Sequence, residues 1–141
     1  PSIKTDSNAI NRLSKLITSM GCEIYEASPK EHDEVVSLIS HLPIYLASAL
    51  IETAYRKNNL SLIDFTQKCA ASGFADTTRV GGGNPELGLD LAIYNQKNIL
   101  NSIRKFKDQV NELELLIKDK NWELLHERLS NAAKARAKFI N

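Results

Sequence analysis

Apolar positions along the chain recur mainly at helical spacing. Ile10, Leu13, Leu16, Ile17 and Met20 share one face, which predicts a helix capped by Ser7 and stopped at Gly21. Cys22 to Glu26 then alternates between breakers and predicts a short strand. A lone strand cannot satisfy its own backbone groups, and no second convincing strand follows, so this segment expects a partner from outside the chain. Ser28-Pro29-Lys30-Glu31 marks the next helix start, with a capping serine, a proline at the first helical position and a glutamate to complete a capping box. That helix carries Val35, Val36, Leu38, Ile39 and Leu42 before Pro43, whose missing amide donor should kink or split it. Ile44 to Ile51 is apolar nearly all round and expects burial on several sides. The polar stretch Arg56 to Asn59 ends it, and a shorter helix with Leu62, Phe65 and Cys69 closes at Ser72-Gly73.

From Phe74 to Gly83 the helical period is lost. Asn84-Pro85 restarts it, and the helix that follows is expected to reach Lys118, roughly 50 Å at about 1.5 Å per residue. Within it Ile99, Ile103, Phe106, Val110, Leu113 and Ile117 keep alternating spacings of four and three, a heptad seam. After the turn Asp119-Lys120-Asn121, a last helix carries Trp122, Leu125 and Leu129, and the two form an antiparallel hairpin. A helix that long outreaches its partners in one domain and favours packing against a second copy. The fold class is therefore all-α. A helical dimerisation domain with a long hairpin occupies residues 28–141, and one helix and a short strand occupy residues 1–27.

Length and composition narrow the class further. At 141 residues, 43% apolar and 25% charged, the chain has the make-up of a single globular domain and excludes disordered and fibrous classes. Eighteen basic against 17 acidic residues is too balanced for nucleic acid or an anionic membrane as main partner. Two cysteines are too few for a disulfide framework and suit a reducing, cytoplasmic setting. The strongest apolar run falls far short of the roughly 20 residues of a membrane span. No basic-then-apolar leader precedes it, and the start at Pro1 without methionine reads as a fragment or processed product.

The candidate chemistry lies in Phe74 to Pro85. There Arg79 can offer a planar fork to a carboxylate or phosphate, Gly81 to Gly83 permit close backbone approach, and a helix N-terminus favours an anion. The alternative is that Arg79 pairs with Asp76 and the glycines make a turn. Neither a dinucleotide fingerprint nor a Walker loop is present, since no strand precedes and no Lys-Ser/Thr follows. His32 and His41 lie nine residues apart, about 180° around a helix, so they diverge and no metal site is expected. Asp33, Ser40 and Ile44 fall on one stripe that could line a pocket at the proline; the alternative is a solvated face with a serine bonded to its own helix. Cys69 reads as core, the basic tail from Lys134 to Lys138 as a solvated helix end, and no catalytic residue can be named.

Three motifs in order, Glu31-His32-Asp33, Ser40-His41-Leu42-Pro43 and Ala71-Ser72-Gly73-Phe74-Ala75-Asp76-Thr77-Thr78-Arg79-Val80-Gly81-Gly82-Gly83-Asn84-Pro85-Glu86-Leu87, resemble the C-terminal half of arogenate/prephenate dehydrogenases. The resemblance runs from about residue 22 to the end. It implies an NAD(P)-dependent oxidative decarboxylation in tyrosine biosynthesis, a homodimer, and arogenate or prephenate as substrate. Residues 1–27 then resemble the last helix and strand of a dinucleotide-binding domain. The glycine-rich loop that holds NADP or NAD, and the catalytic histidine, would lie upstream, so the chain alone is expected to bind no cofactor and to be inactive. Arg79 matches a substrate-carboxylate clamp, and Ser40 and His32 match cleft-lining positions. Two departures stand out. Many prephenate-using relatives carry a second histidine where Ile44 stands, so this chain resembles the arogenate-preferring, commonly NADP-using branch. Many also carry a basic residue in place of Ala75. The competing functions are a non-catalytic helical homodimerisation module and, with too few converging cations, a small helical chorismate mutase.

Overall fold

The computed structural model describes residues 1–2, 4–55 and 60–140, and these divide into two units, Pro1–His32 and Asp33–Asn141. In the first unit, α1 spans Ser7–Ser19. Its cap is Asp6 rather than Ser7: the Asp6 carboxylate accepts the Asn8 amide at 3.0 Å. The helix stops at Gly21, which takes φ +80°. There Gly21 N–H donates to Thr18 O at 3.0 Å and Cys22 N–H to Ile17 O at 3.3 Å, the paired bonds of a left-handed helix terminus. Cys22 to Glu26 is not a strand. The described residues contain no strand to pair with it, and without a ladder an alternating segment cannot become one.

Helix α2, Pro29–Val36, opens on the capping box as expected. Glu31 N–H donates to Ser28 Oγ at 3.2 Å and Ser28 N–H to Glu31 Oε2 at 2.8 Å. Hydrogen bonding of the Glu31 carboxylate to the Ser28 hydroxyl, and then to the Ser28 amide, holds it below the usual glutamate range. Pro43 does not split the helix that follows. Instead Ser37–His41 forms a π turn and runs straight into α3, Leu42–Tyr55, with Leu42 N–H donating to Ser37 O. Widening the turn by one residue absorbs the bond that a proline cannot make. The resulting helix, Pro29–Tyr55, has 27 residues and by length and apolarity alone could cross a bilayer, which the length of the apolar run did not suggest. Ser37 and His41 on it are nonetheless buried within the helical unit.

Beyond α3 come α4 (Leu60–Cys69), α5 (Ser72–Thr78), a 3-10 turn (Arg79–Gly82) and α6 (Pro85–Tyr94). Ser72-Gly73 thus opens α5 instead of closing α4, and the segment expected to be irregular is mostly helical. Arg56 to Asn59, expected to end α3, lie outside the described residues. The long helix is also shorter than its sequence suggests. Asn95, at φ −127° and ψ 31°, separates α6 from α7, Gln96–Lys118, whose 23 residues span about 34 Å. Helix α8, Trp122–Arg136, is capped by Asn121, which accepts the Leu124 amide at 3.2 Å. Arg128 on α8 reaches Glu112 and Gln109 on α7, so the hairpin forms as expected.

The buried apolar core among the described residues is small: Leu42, Ala47 and Ile99. The heptad seam divides accordingly. Ile99 is buried and Ile103 half-buried, while Phe106, Val110 and Ile117 remain exposed. The first turns of α7 serve the protomer's own core, and the later turns leave an apolar stripe open.

Candidate functional site

Arg79 begins the 3-10 turn, and that turn is pressed onto the middle of α3. A Cβ on Gly81 would lie 2.7 Å from both Ala47 C and Ser48 N and 2.9 Å from Ala47 Cβ. Only glycine permits that backbone approach. The close approach therefore serves helix packing, not contact with an anion. Gly82 has open space around it, and Gly83 meets only Val80 O at an ordinary 3.5 Å. Ahead of the turn, buried Thr78 bonds back to Phe74 O at 2.6 Å, closing the end of α5.

The N-terminus of α6 offers an anion less than expected. Pro85 has no N–H, and the Glu86 amide is taken by Asn84 Oδ1 at 3.0 Å. Glu86 also adds a negative charge to the first turn. The positive group of this segment is thus the Arg79 guanidinium. It is exposed, and no ion pair joins it to Asp76 among the described residues. Beside the turn, Ile44, Tyr45, Ser48, Val80, Gly83 and Asn84 help line a cleft of about 340 Å³. Tyr45 crosses under it and donates its hydroxyl to Gly88 O at 2.7 Å. Burial of this phenol pushes its pKa up.

Ser40 lies on the π turn and is exposed. The wider turn advances less around the axis per residue, so Ser40 leaves the straight stripe drawn from Asp33 to Ile44. No hydrogen bond joins it to Arg79 among the described residues. Both are nevertheless carried by elements fixed to α3: Ser40 lies just before its start, and Arg79 heads the turn whose Gly81 rests on Ala47 and Ser48, an attachment point seven residues or about 10 Å farther along. His32 is exposed on the part of α2 that belongs to the first unit. His41, in contrast, is buried, and among the described residues no three His, Cys, Asp or Glu side chains group as metal ligands. Cys69 is exposed rather than core. It lines a larger apolar cleft of about 680 Å³ between α3, α4 and α5, where the described lining residues include no charged side chain.

Polar residues, among them Ser37, Asn95 and Ser102 that were not singled out from sequence, form a partly buried seam between the π turn and the start of α7. Ser37 Oγ and Ser102 Oγ lie 2.9 Å apart, and Ser37 also donates to Glu34 O at 2.7 Å. Asn95 Nδ2 donates to Asp33 O at 2.7 Å and lies 3.4 Å from His41 Nδ1. The usable signal was a matched pair of polar spacings, Ser37/His41 on one helix and Asn95/Asn98/Ser102 on another, each interrupting an apolar face.

Comparison with known proteins agrees with this architecture. The profile of the "Prephenate dehydrogenase, dimerization domain" family matches residues 28–131. A prephenate dehydrogenase of Bacillus subtilis is 30% identical over 125 residues, covering 89% of this chain and 33% of its own length. A cyclohexadienyl dehydrogenase of Zymomonas mobilis is 29% identical, covering 96% and 46%. Among solved structures, Synechocystis arogenate dehydrogenase superposes with a TM-score of 0.90 at 36% identity, over 99% of this chain and 50% of that one. Prephenate dehydrogenase from Aquifex aeolicus, in complex with hydroxyphenyl propionate and NAD+, gives 0.86 at 29% identity, over 99% and 48%. The chain thus spans between a third and a half of the length of these relatives. With the family profile covering most of its residues and its helices superposing on those of solved members, the chain belongs to the prephenate dehydrogenase dimerization-domain family.

Proposed function

We propose that the chain is the C-terminal half of an arogenate or prephenate dehydrogenase, pairing two protomers and holding a substrate carboxylate on Arg79. The observation that carries this is the placement of Arg79: an exposed guanidinium without an Asp76 partner, on a turn locked to α3 through Gly81. A rigidly mounted planar fork binds a carboxylate through two parallel charge-assisted hydrogen bonds. Ser40, exposed on the π turn, and His32 are assigned to substrate binding in this reading because their motifs resemble cleft-lining positions of the family. Residues 1–27 are the remnant of a dinucleotide-binding domain in this reading, and residues 28–141 the helical domain.

The described residues contain no strand, hence no strand-turn-helix on which a dinucleotide could rest, and they do not fit NADP or NAD. Hydride removal belongs to the half of the enzyme that binds the nicotinamide. This half contributes binding and orientation, so alone it should bind substrate without turning it over. Ile44 and the higher identity to the arogenate dehydrogenase than to the Aquifex enzyme favour arogenate, and with it NADP, over prephenate. The exposed thiols of Cys22 and Cys69 suit a cytoplasmic enzyme. Open apolar side chains on α7, together with the small core, support a homodimer.

Titration of arogenate, and separately prephenate, into the 141-residue chain tests the reading. Saturable binding that falls at least tenfold in Arg79→Ala, with the dimer intact, is expected. Equal binding by both proteins, or no binding of either compound, overturns the clamp and leaves the non-catalytic dimerisation module, which the small core also favours.

A further inference from the structure

We propose that Asn95 is a positioning residue, whose carboxamide holds the π turn in the register that aims Ser40 into the substrate cleft. The proposal rests on the reading that Ser40 and Arg79 serve one cleft. Asn95 stands at the break between α6 and α7, and its side chain does three things at once. Nδ2 donates to Asp33 O at 2.7 Å, the same nitrogen lies 3.4 Å from His41 Nδ1, and Oδ1 accepts from Asn98 Nδ2 at 2.8 Å. These contacts fix which way the amide faces. Turned over, its oxygen would meet the Asp33 carbonyl and its amino group the Asn98 amino group. With the amide so fixed, Asn95 Nδ2 can only donate, so a hydrogen bond across this 3.4 Å contact has His41 Nδ1 as its acceptor.

The two groups that Asn95 holds lie at either end of the segment that departs from α geometry. Asp33 is on α2 four residues ahead of the π turn, and His41 is its last residue. A π turn is a rare local state that an isolated helix does not prefer, and Pro43 offers the alternative of an α-helix kinked at the proline. The two registers rotate residues 37 to 41 differently. In the π register that the chain adopts, Ser37 lies against Ser102 and His41 beside Asn95. Among the described residues no hydrogen bond orients the Ser40 hydroxyl, so the register decides where it points.

The test uses arogenate and the whole 141-residue chain. Wild-type binding examines the underlying reading, and its absence would sink that reading irrespective of Asn95. Given wild-type binding, Asn95→Leu should weaken affinity about tenfold while the dimer and the helical circular dichroism persist. Asn95→Asp keeps the shape but loses the donor, and should weaken binding similarly. The imidazole nitrogen signals of His41 should show an unprotonated Nδ1 in the wild type and lose that signature in both variants. Ile99→Val, a core truncation on α7 that leaves the amide in place, should lower Tm and leave affinity unchanged. Binding by Asn95→Leu and Asn95→Asp within twofold of wild type overturns the proposal. So does an equal loss in Ile99→Val, which would reduce Asn95 to general stability.

Discussion

Gly81→Ala should destabilise the helical unit and loosen the mounting of Arg79, although its neighbour Gly82→Ala should do neither. The difference is steric. A methyl group on residue 81 would sit 2.7 Å from the Ala47 carbonyl carbon and the Ser48 nitrogen, whereas one on residue 82 meets nothing within 4 Å. Both obstacles at residue 81 are backbone atoms of a helix, so no rotamer change relieves the overlap. The turn must retreat from α3 by roughly 0.7 Å or more to reach ordinary contact, and overpacking of this kind costs about 1–3 kcal/mol. Gly81 has no positive φ, so backbone strain contributes nothing and the prediction isolates packing. For a chain of this length the loss is a Tm lower by about 3–12 °C. Thermal melts at one protein concentration, needed because a dimer's Tm depends on it, should order the proteins as wild type, Gly82→Ala, then Gly81→Ala well below. Arogenate affinity should fall with Gly81→Ala alone. If Gly81→Ala and Gly82→Ala melt together, the 3-10 turn does not rest on α3 and Arg79 is not rigidly held.

Three further outcomes follow from single residues. Lys120 ends α7 at φ +56°, with Asn121 N–H bonded to Leu116 O and Lys120 N–H to Ile117 O; Lys120→Gly removes the side-chain clash of that left-handed position and should raise stability by about 0.5–1 kcal/mol in denaturant unfolding. Burial raises the Tyr45 pKa above its ordinary value of 10, so the folded state keeps a proton that the unfolded state gives up. The stabilising contribution is full below pH 10 and declines as pH rises through the folded value. Tyr45→Phe should remove that decline and cost about 1 kcal/mol at neutral pH for the lost bond to Gly88 O. Val110 is 42% exposed in the protomer, so Val110→Lys should leave the fold intact while placing a charge in the paired seam at a cost of several kcal/mol. Sedimentation should then report a monomer, and an unchanged dimer would move the interface elsewhere.

What could be read directly was local. The capping box at Ser28 and Glu31, the glycine stop at residue 21 and the hairpin between α7 and α8 each follow from short-range rules and stand in the structure. Arg79 stood out as a candidate because a cation at the head of a glycine run is chemically conspicuous and because the motif around it resembles a family. The three adjacent glycines were not separable, because the backbone that Gly81 approaches belongs to α3, more than thirty residues earlier. Asn95 was hidden for a related reason. Within a stretch read as one continuous helix an asparagine passes for a tolerated polar position, and its partners Asp33 and His41 lie over fifty residues away. The strand failed on different grounds: alternation is necessary for a strand, but the ladder that completes it must come from another segment.

Pro43 shows how a correct local rule can lead to a different consequence. The missing amide must be accommodated, and a kink is one way; the chain takes the other, a widened turn before the proline. That choice buries Ser37 and His41 against α7, which a kinked helix would not do in the same register. It also keeps the helix continuous into α3, so that one helix bears Ser40's turn at its head and Arg79's turn at its middle. About 10 Å along that axis separates the two attachment points. The spacing is maintained by helix packing, not by loop conformation. Substitutions that shift either turn should therefore weaken binding without contacting the ligand, and Gly81→Ala and Asn95→Leu, acting on separate contacts with the same substrate, should lower affinity approximately additively.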